Sequence, residues 1–145
     1  MVYGPGAPGN FQRLVKLVRT RLPVPLGGAR APKSFLYVGN LASAMVAIAG
    51  HPAAASKTFL VSDSEVTSTA GILQQIAEAL GKRVLLLNAP EAPLALAARL
   101  IGHEKDVRRL FDPLEINSDL IRITLKWAPP VALAEAVRRS VVTSP

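Results

Sequence analysis

Gly4, Gly6 and Gly9 stand at the G-x-G-x-x-G spacing of a dinucleotide-binding turn. In such a turn a strand delivers the glycines, backbone N–H groups cradle a pyrophosphate, and a helix N-terminus faces it. The flanking residues do not supply that chemistry. The strand would be a stub of Val2 and Tyr3, Pro5 and Pro8 have no N–H, and no acid lies about 20 residues on to hold a ribose. The spacing is therefore read as a Gly/Pro loop. His51 and His103 form no His-Glu-x-x-His zinc helix, and the chain has no Gly-x-Ser-x-Gly elbow and no P-loop Gly-Lys-Ser/Thr. Asp63 and Glu65, two residues apart, read as a turn that caps the following helix. No catalytic residue and no metal ligand is assigned.

The basic residues are more informative. Arg13, Lys16, Arg19, Arg21, Arg30, Lys33 and Lys57 all precede the first acid, Asp63, and the net charge of the 145-residue chain is +7. The excess sits wholly in the first 62 residues, which predicts an anionic partner: a nucleotide diphosphate, a nucleic acid or an acidic protein face. For Arg13, Lys16 and Arg19 a solvated helix face is the competing explanation. The chain contains no cysteine, so disulfides and thiolate metal sites are excluded. No apolar run approaches the roughly 20 residues that span a bilayer, and the N-terminus lacks the zones of a signal peptide, so a cytoplasmic protein without a membrane partner is expected. Hydrophobic residues make up 50% of the chain and mean hydropathy is +0.30, which suggests apolar surface meant for a partner.

The elements that must position these groups alternate between strand and helix, which favours an α/β fold over a helical bundle. Asn10 reads as the N-cap of a helix whose apolar positions Phe11, Leu14, Val15, Val18 and Leu22 share one face, with Arg13, Lys16 and Arg19 off it and Pro23 and Pro25 as its stop. A loop follows over 27–32. Phe35 to Val38 predicts a short strand and Leu41 to Ile48 a helix closed by Gly50. Phe59 to Val61 predicts a buried strand, residues 67–69 the cap of a helix ending at Gly81, and Val84 to Leu87 a further strand. Three more helices are expected, from Pro93 to Ile101, from Ser118 or Asp119 to about Lys126, and from Leu133 to Val141, with the charged stretch His103 to Arg109 between the first two.

Several segments, in order, resemble the extended short-chain dehydrogenase/reductase family, in its NAD-dependent epimerase/dehydratase (nucleotide-sugar) branch. They are Val2-Tyr3-Gly4-Pro5-Gly6, Gly9-Asn10-Phe11, Ser34-Phe35-Leu36-Tyr37-Val38-Gly39-Asn40-Leu41-Ala42, Thr58-Phe59-Leu60-Val61-Ser62-Asp63, Ala79-Leu80-Gly81-Lys82 and Leu125-Lys126-Trp127-Ala128-Pro129-Pro130. In that family such segments belong to the C-terminal half, after the cofactor turn and the Tyr-x-x-x-Lys pair. Neither Tyr3 nor Tyr37 is followed by its lysine; Leu41 stands four residues after Tyr37. The resemblance therefore implies a single C-terminal substrate-binding region over 1–145 of a Rossmann-like fold, with the cofactor-binding half absent. NAD or NADP would serve the full-length family, and neither is expected to bind this chain alone.

The same resemblance implies site residues. Asn10 and Phe11 fall where a nucleoside-diphosphate sugar, with a UDP-sugar favoured, is held at its diphosphate. Val24 and Leu26 fall at the walls around the base, and Phe35 beside them. Lys33 stands where the family has a diphosphate-binding arginine, a departure that replaces a planar fork by one compact charge. Arg108 or Arg109 would supply a second arginine, unless they pair with Glu104, Asp106 or Asp112. Arg30 is a substitute for Lys33 if the loop shifts. The implied partners are the nucleotide-sugar, the missing Rossmann half and, as an option, a second copy of the chain. The rival reading is a nonenzymatic nucleic-acid-binding module built on the basic front. Against it stand the few aromatic residues near those bases, Tyr3, Phe11, Phe35 and Tyr37, and the absence of any RNA-binding motif.

Overall fold

The computed structural model describes residues 1–6, 9–100 and 104–142. Among them the order is β1 (Val2–Tyr3), α1 (Asn10–Arg19), β2 (Lys33–Ser34), β3 (Leu36–Tyr37), α2 (Val38–Gly50), β4 (Val66–Thr67), α3 (Thr69–Ala79), α4 (Glu91–Leu100), α5 (Glu104–Phe111), α6 (Asp119–Leu125) and α7 (Leu133–Val142). Short strands alternate with helices, as the α/β pattern predicts. No helix among the described residues is long and apolar enough to cross a membrane.

The sequence around α1 explains its burial and corrects its ends. Phe11, Leu14, Val15 and Val18 recur at helical spacing and all are buried. Lys16 and Arg19 sit in the last turn, where a cation faces the negative end of the helix dipole. Gly9, not Asn10, is the N-cap: its φ of 113° is accessible to glycine, and Asn10 is already helical with no capping side-chain bond. The helix also stops before Leu22. The Thr20 hydroxyl donates to the Leu17 carbonyl at 2.7 Å, Arg21 turns to φ 59°, and Leu22 is left 63% exposed.

Residues 33–37 do not form one strand. Lys33–Ser34 pairs antiparallel with β4, while Leu36–Tyr37 pairs parallel with β1, Tyr3 opposite Tyr37. Val38 already belongs to α2, which starts three residues earlier than the Leu41 expected. The strand expected at Phe59 to Val61 forms no ladder among the described residues; Phe59 and Val61 pack against the smaller core cluster and Leu60 is exposed. Val84 to Leu87 is reduced to a parallel bridge between Leu86 and Val24, held by Val24 N–H to Leu85 O and Leu87 N–H to Val24 O, each 2.8 Å. Gly27 continues this seam. Its N–H donates to Leu87 O at 2.9 Å, and a Cβ there would meet that carbonyl oxygen at 3.0 Å.

Two apolar clusters follow. The larger gathers Tyr3, Phe11, Val18, Val24, Phe35 and Tyr37 with the inner faces of α3 and α7. Tyr3 is its hub, stacked on Phe11 with centroids 5.0 Å apart and edge-on to Phe35 at 6.3 Å. The smaller joins Ala44, Ala54, Ile121, Leu125 and Trp127. Helices α4 and α5 pack on each other; α4 starts two residues before the Pro93 expected, and the charged stretch that the sequence left without an element is helical as α5; Ile101 and His103 lie outside the described residues.

Asp63 and Glu65 do not cap α3. Ser68 does, its hydroxyl accepting from Gly71 N–H at 3.0 Å. Asp63 is instead buried, and its carboxyl oxygens accept from the Tyr3 hydroxyl (3.2 Å), Tyr37 N–H (3.0 and 3.1 Å) and Asn40 Nδ2 (2.8 Å), tying β1, β3 and α2 together. Glu65 reaches the start of α7, accepting from Leu133 N–H at 3.3 Å.

Candidate functional site

Four elements meet around a cavity of about 650 Å³. α1 contributes Asn10, Arg13, Leu14 and Leu17, spaced one helical turn apart so that they form one stripe. The segment before and within β2–β3 contributes Leu26, Lys33 and Phe35, and α3 contributes Thr69 at its first residue. α5 and the chain after it supply Asp106, Arg109, Leu110, Asp112 and Leu114. The walls are mainly apolar, with a few convergent polar groups, which is the usual make-up of a small-molecule site.

The carbonyl end of α5 is fixed from two sides. Lys33 Nζ donates to Arg109 O at 2.8 Å and to Asp112 O, and the Thr69 hydroxyl donates to Leu110 O at 2.8 Å. These bonds satisfy carbonyls that a helix C-terminus leaves without intrahelical partners. Beyond α5 the chain runs beside β2: Leu114 N–H donates to Pro32 O (2.9 Å), Ser34 N–H to Leu114 O (2.7 Å) and Ile116 N–H to the Ser34 hydroxyl (3.0 Å). The consequence is that Arg109 is carried to the cavity by a helix end anchored to the same lysine that lines it. Burial pushes the Lys33 ammonium below the ordinary lysine range, and nearby Asp112 offsets part of that.

Of the residues singled out from sequence, Asn10, Leu26, Lys33, Phe35 and Arg109 line this cavity together. Three lie elsewhere. Phe11 has its ring in the core against Tyr3, Val24 is wholly buried in the bridge to Leu86, and Arg108 pairs with Glu104 at 3.0 Å in a separate groove shared with α4. Arg30 is also turned away, its Nε donating to Gly27 O at 3.1 Å. Sequence reasoning passed over Arg13, Thr69, Asp106 and Asp112 as lining residues. The α1 stripe could have disclosed Arg13, three residues after Asn10; the others depend on where α3 and α5 meet.

No protein-family model matches the chain. It is, however, 36% identical over 141 residues to the UDP-glucose 4-epimerase of Vibrio cholerae, an alignment that takes in 97% of this chain. Over nearly its whole length the chain is therefore similar to part of a UDP-sugar epimerase. The fold agrees: the UDP-glucuronic acid 4-epimerase of Bacillus cereus, solved in complex with NAD, superposes with a TM-score of 0.70 over 99% of this chain at 15% identity. The UDP-glucose 4-epimerase of Thermotoga maritima, solved with UDP-glucose, gives 0.63 over 98% at 18% identity. The chain spans 43% of the length of the Vibrio relative and 41% and 42% of those two structures.

Proposed function

We propose that this chain is the C-terminal, substrate-binding portion of an NAD(P)-dependent nucleotide-sugar epimerase, dehydratase or reductase, and that its cavity orients a nucleoside-diphosphate sugar, most simply a UDP-sugar. The observation that carries this reading is the convergence of Asn10, Leu26, Lys33, Phe35 and Arg109, drawn from three separate stretches of sequence, on one cavity. In this reading Leu26 and Phe35 offer apolar walls to a base, the basic groups meet the diphosphate, and Asp106 and Asp112 offer acceptors to hydroxyl groups. Holding the diphosphate fixes the distant sugar carbon, so the contribution to reaction is orientation.

Among the described residues of the Gly4 to Gly9 loop the dinucleotide has no suitable cradle. β1 is two residues long, Pro5 has no N–H, and Gly4 is needed for packing, since a Cβ there would collide with the Val38 side chain. We assign cofactor binding to residues outside this chain and derive no hydride step from it.

The nucleic-acid alternative loses its stacking groups. Tyr3, Phe11, Phe35 and Tyr37 are all buried, and they pack around Tyr3. Calorimetric titration with UDP-glucose, UDP-glucuronic acid and a single-stranded oligonucleotide tests the choice. Saturable UDP-sugar binding with weak oligonucleotide binding is expected. Oligonucleotide binding with a steep salt slope, alongside no response to either UDP-sugar, overturns the proposal.

A further inference from the structure

Resting on that reading, we propose that Arg13 is the second cation of the anion clamp, opposite Arg109, and that Lys33 acts as a brace for α5 rather than as the principal phosphate ligand. An ammonium has three donors, and two of those on Lys33 are taken by Arg109 O and Asp112 O. Its charge is also partly balanced by the Asp112 side chain. Arg13 and Arg109 differ on both counts. Among the described residues neither guanidinium makes an ion pair or a side-chain hydrogen bond, and both line the cavity.

Position favours Arg13 as well. It stands in the first turn of α1, on the stripe that also carries Asn10, Leu14 and Leu17 into the cavity, and the N-terminal end of a helix carries partial positive charge. Each guanidinium presents a planar fork that can bind two phosphate oxygens at once, which a lysine with one remaining donor cannot do. Arg13 and Arg109 reach the cavity from different helices, so a diphosphate held between them would link α1 to α5. Arg13 belongs to the basic excess of the first 62 residues, but of the three cations on α1 it alone lines this cavity; Lys16 and Arg19 do not.

The test uses the full chain with three probes: inorganic pyrophosphate, UDP and uridine. Arg13→Ala and Arg109→Ala should each weaken pyrophosphate and UDP binding about 10- to 100-fold, as expected for loss of a charged hydrogen-bonding group, and leave uridine binding unchanged. Lys33→Ala should instead speed amide exchange over residues 104–111, an effect Arg13→Ala should lack. Retention of pyrophosphate and UDP affinity within twofold in Arg13→Ala overturns the clamp, as does a wild-type chain that binds neither probe. Unchanged exchange over 104–111 in Lys33→Ala overturns the brace. A wild-type chain that binds pyrophosphate as tightly as UDP, with Arg13 and Arg109 both required, refutes the nucleotide reading while the clamp stands.

Discussion

Replacing Asp63 by alanine should be among the most damaging single changes in this chain. The carboxyl group collects donors from Tyr3, Tyr37 and Asn40, elements separated by up to 60 residues in sequence. Truncation leaves the Tyr3 hydroxyl and the Tyr37 N–H without partners in places water does not reach; the side chains of both residues are buried. Asn40 Nδ2 keeps its other bond, to Val131 O at 2.8 Å. At about 1–3 kcal/mol for each of the two orphaned buried donors, the loss is about 2–6 kcal/mol, a large part of a typical folding stability of about 5–15 kcal/mol. Tyr3→Phe removes one donor and leaves the carboxyl group its other three bonds, so it should cost only about 1–2 kcal/mol. Urea unfolding followed by far-UV circular dichroism measures both. One acceptor lost orphans two donors whereas one donor lost orphans none, so an Asp63→Ala cost no larger than that of Tyr3→Phe would refute this role for Asp63.

Burial, reinforced by Asp63, holds the Tyr3 phenol far above the ordinary tyrosine range. The unfolded chain therefore loses this proton near pH 10 while the folded chain keeps it, and stability should fall above that pH by about 1.4 kcal/mol per unit. Burial of Lys33 acts with the opposite sign, so the measurement is the difference between wild type and Tyr3→Phe in urea melts from about pH 8 to 11; that difference should shrink as pH rises, and a constant one would contradict the argument. Ile121→Ala opens a cavity in the smaller cluster, with an expected loss of about 2–5 kcal/mol and a red shift in the emission of Trp127, which shares that cluster. An unshifted spectrum together with a loss below about 1 kcal/mol would count against this packing. Gly27→Ala presses a methyl group onto the Leu87 carbonyl and the Asn88 side chain, and should lower the melting temperature through a cost of about 1–3 kcal/mol; a neutral effect would show that the 24–27 and 85–88 seam can part freely.

What could be read directly from the chain was local. The buried face of α1, the Ser68 cap of α3, the Gly81 stop and the extent of α7 each depend on residues within a few positions of one another, and helical spacing reports them. The approximate places of α1 to α4, α6 and α7 followed from the same signals, and the basic excess of the first 62 residues from composition. Family resemblance added Asn10, Leu26, Lys33, Phe35 and Arg109 as candidates, but which of Arg108 and Arg109 faces inward was open. Tertiary structure decided it: α5 packs on α4 and is pinned at its end by Lys33 and Thr69, which puts Arg109 on the cavity and Arg108 outside. Long-range hydrogen bonding likewise turned Asp63 from a presumed turn residue into the acceptor for β1, β3 and α2, and sent Glu65 to α7. A two-residue strand has too little pattern to announce its partner, so Lys33–Ser34 and Leu36–Tyr37 looked continuous until their separate pairings appeared. The bond from Lys33 to a carbonyl 76 residues away has no periodic signature at all, because its formation depends on where α5 comes to rest.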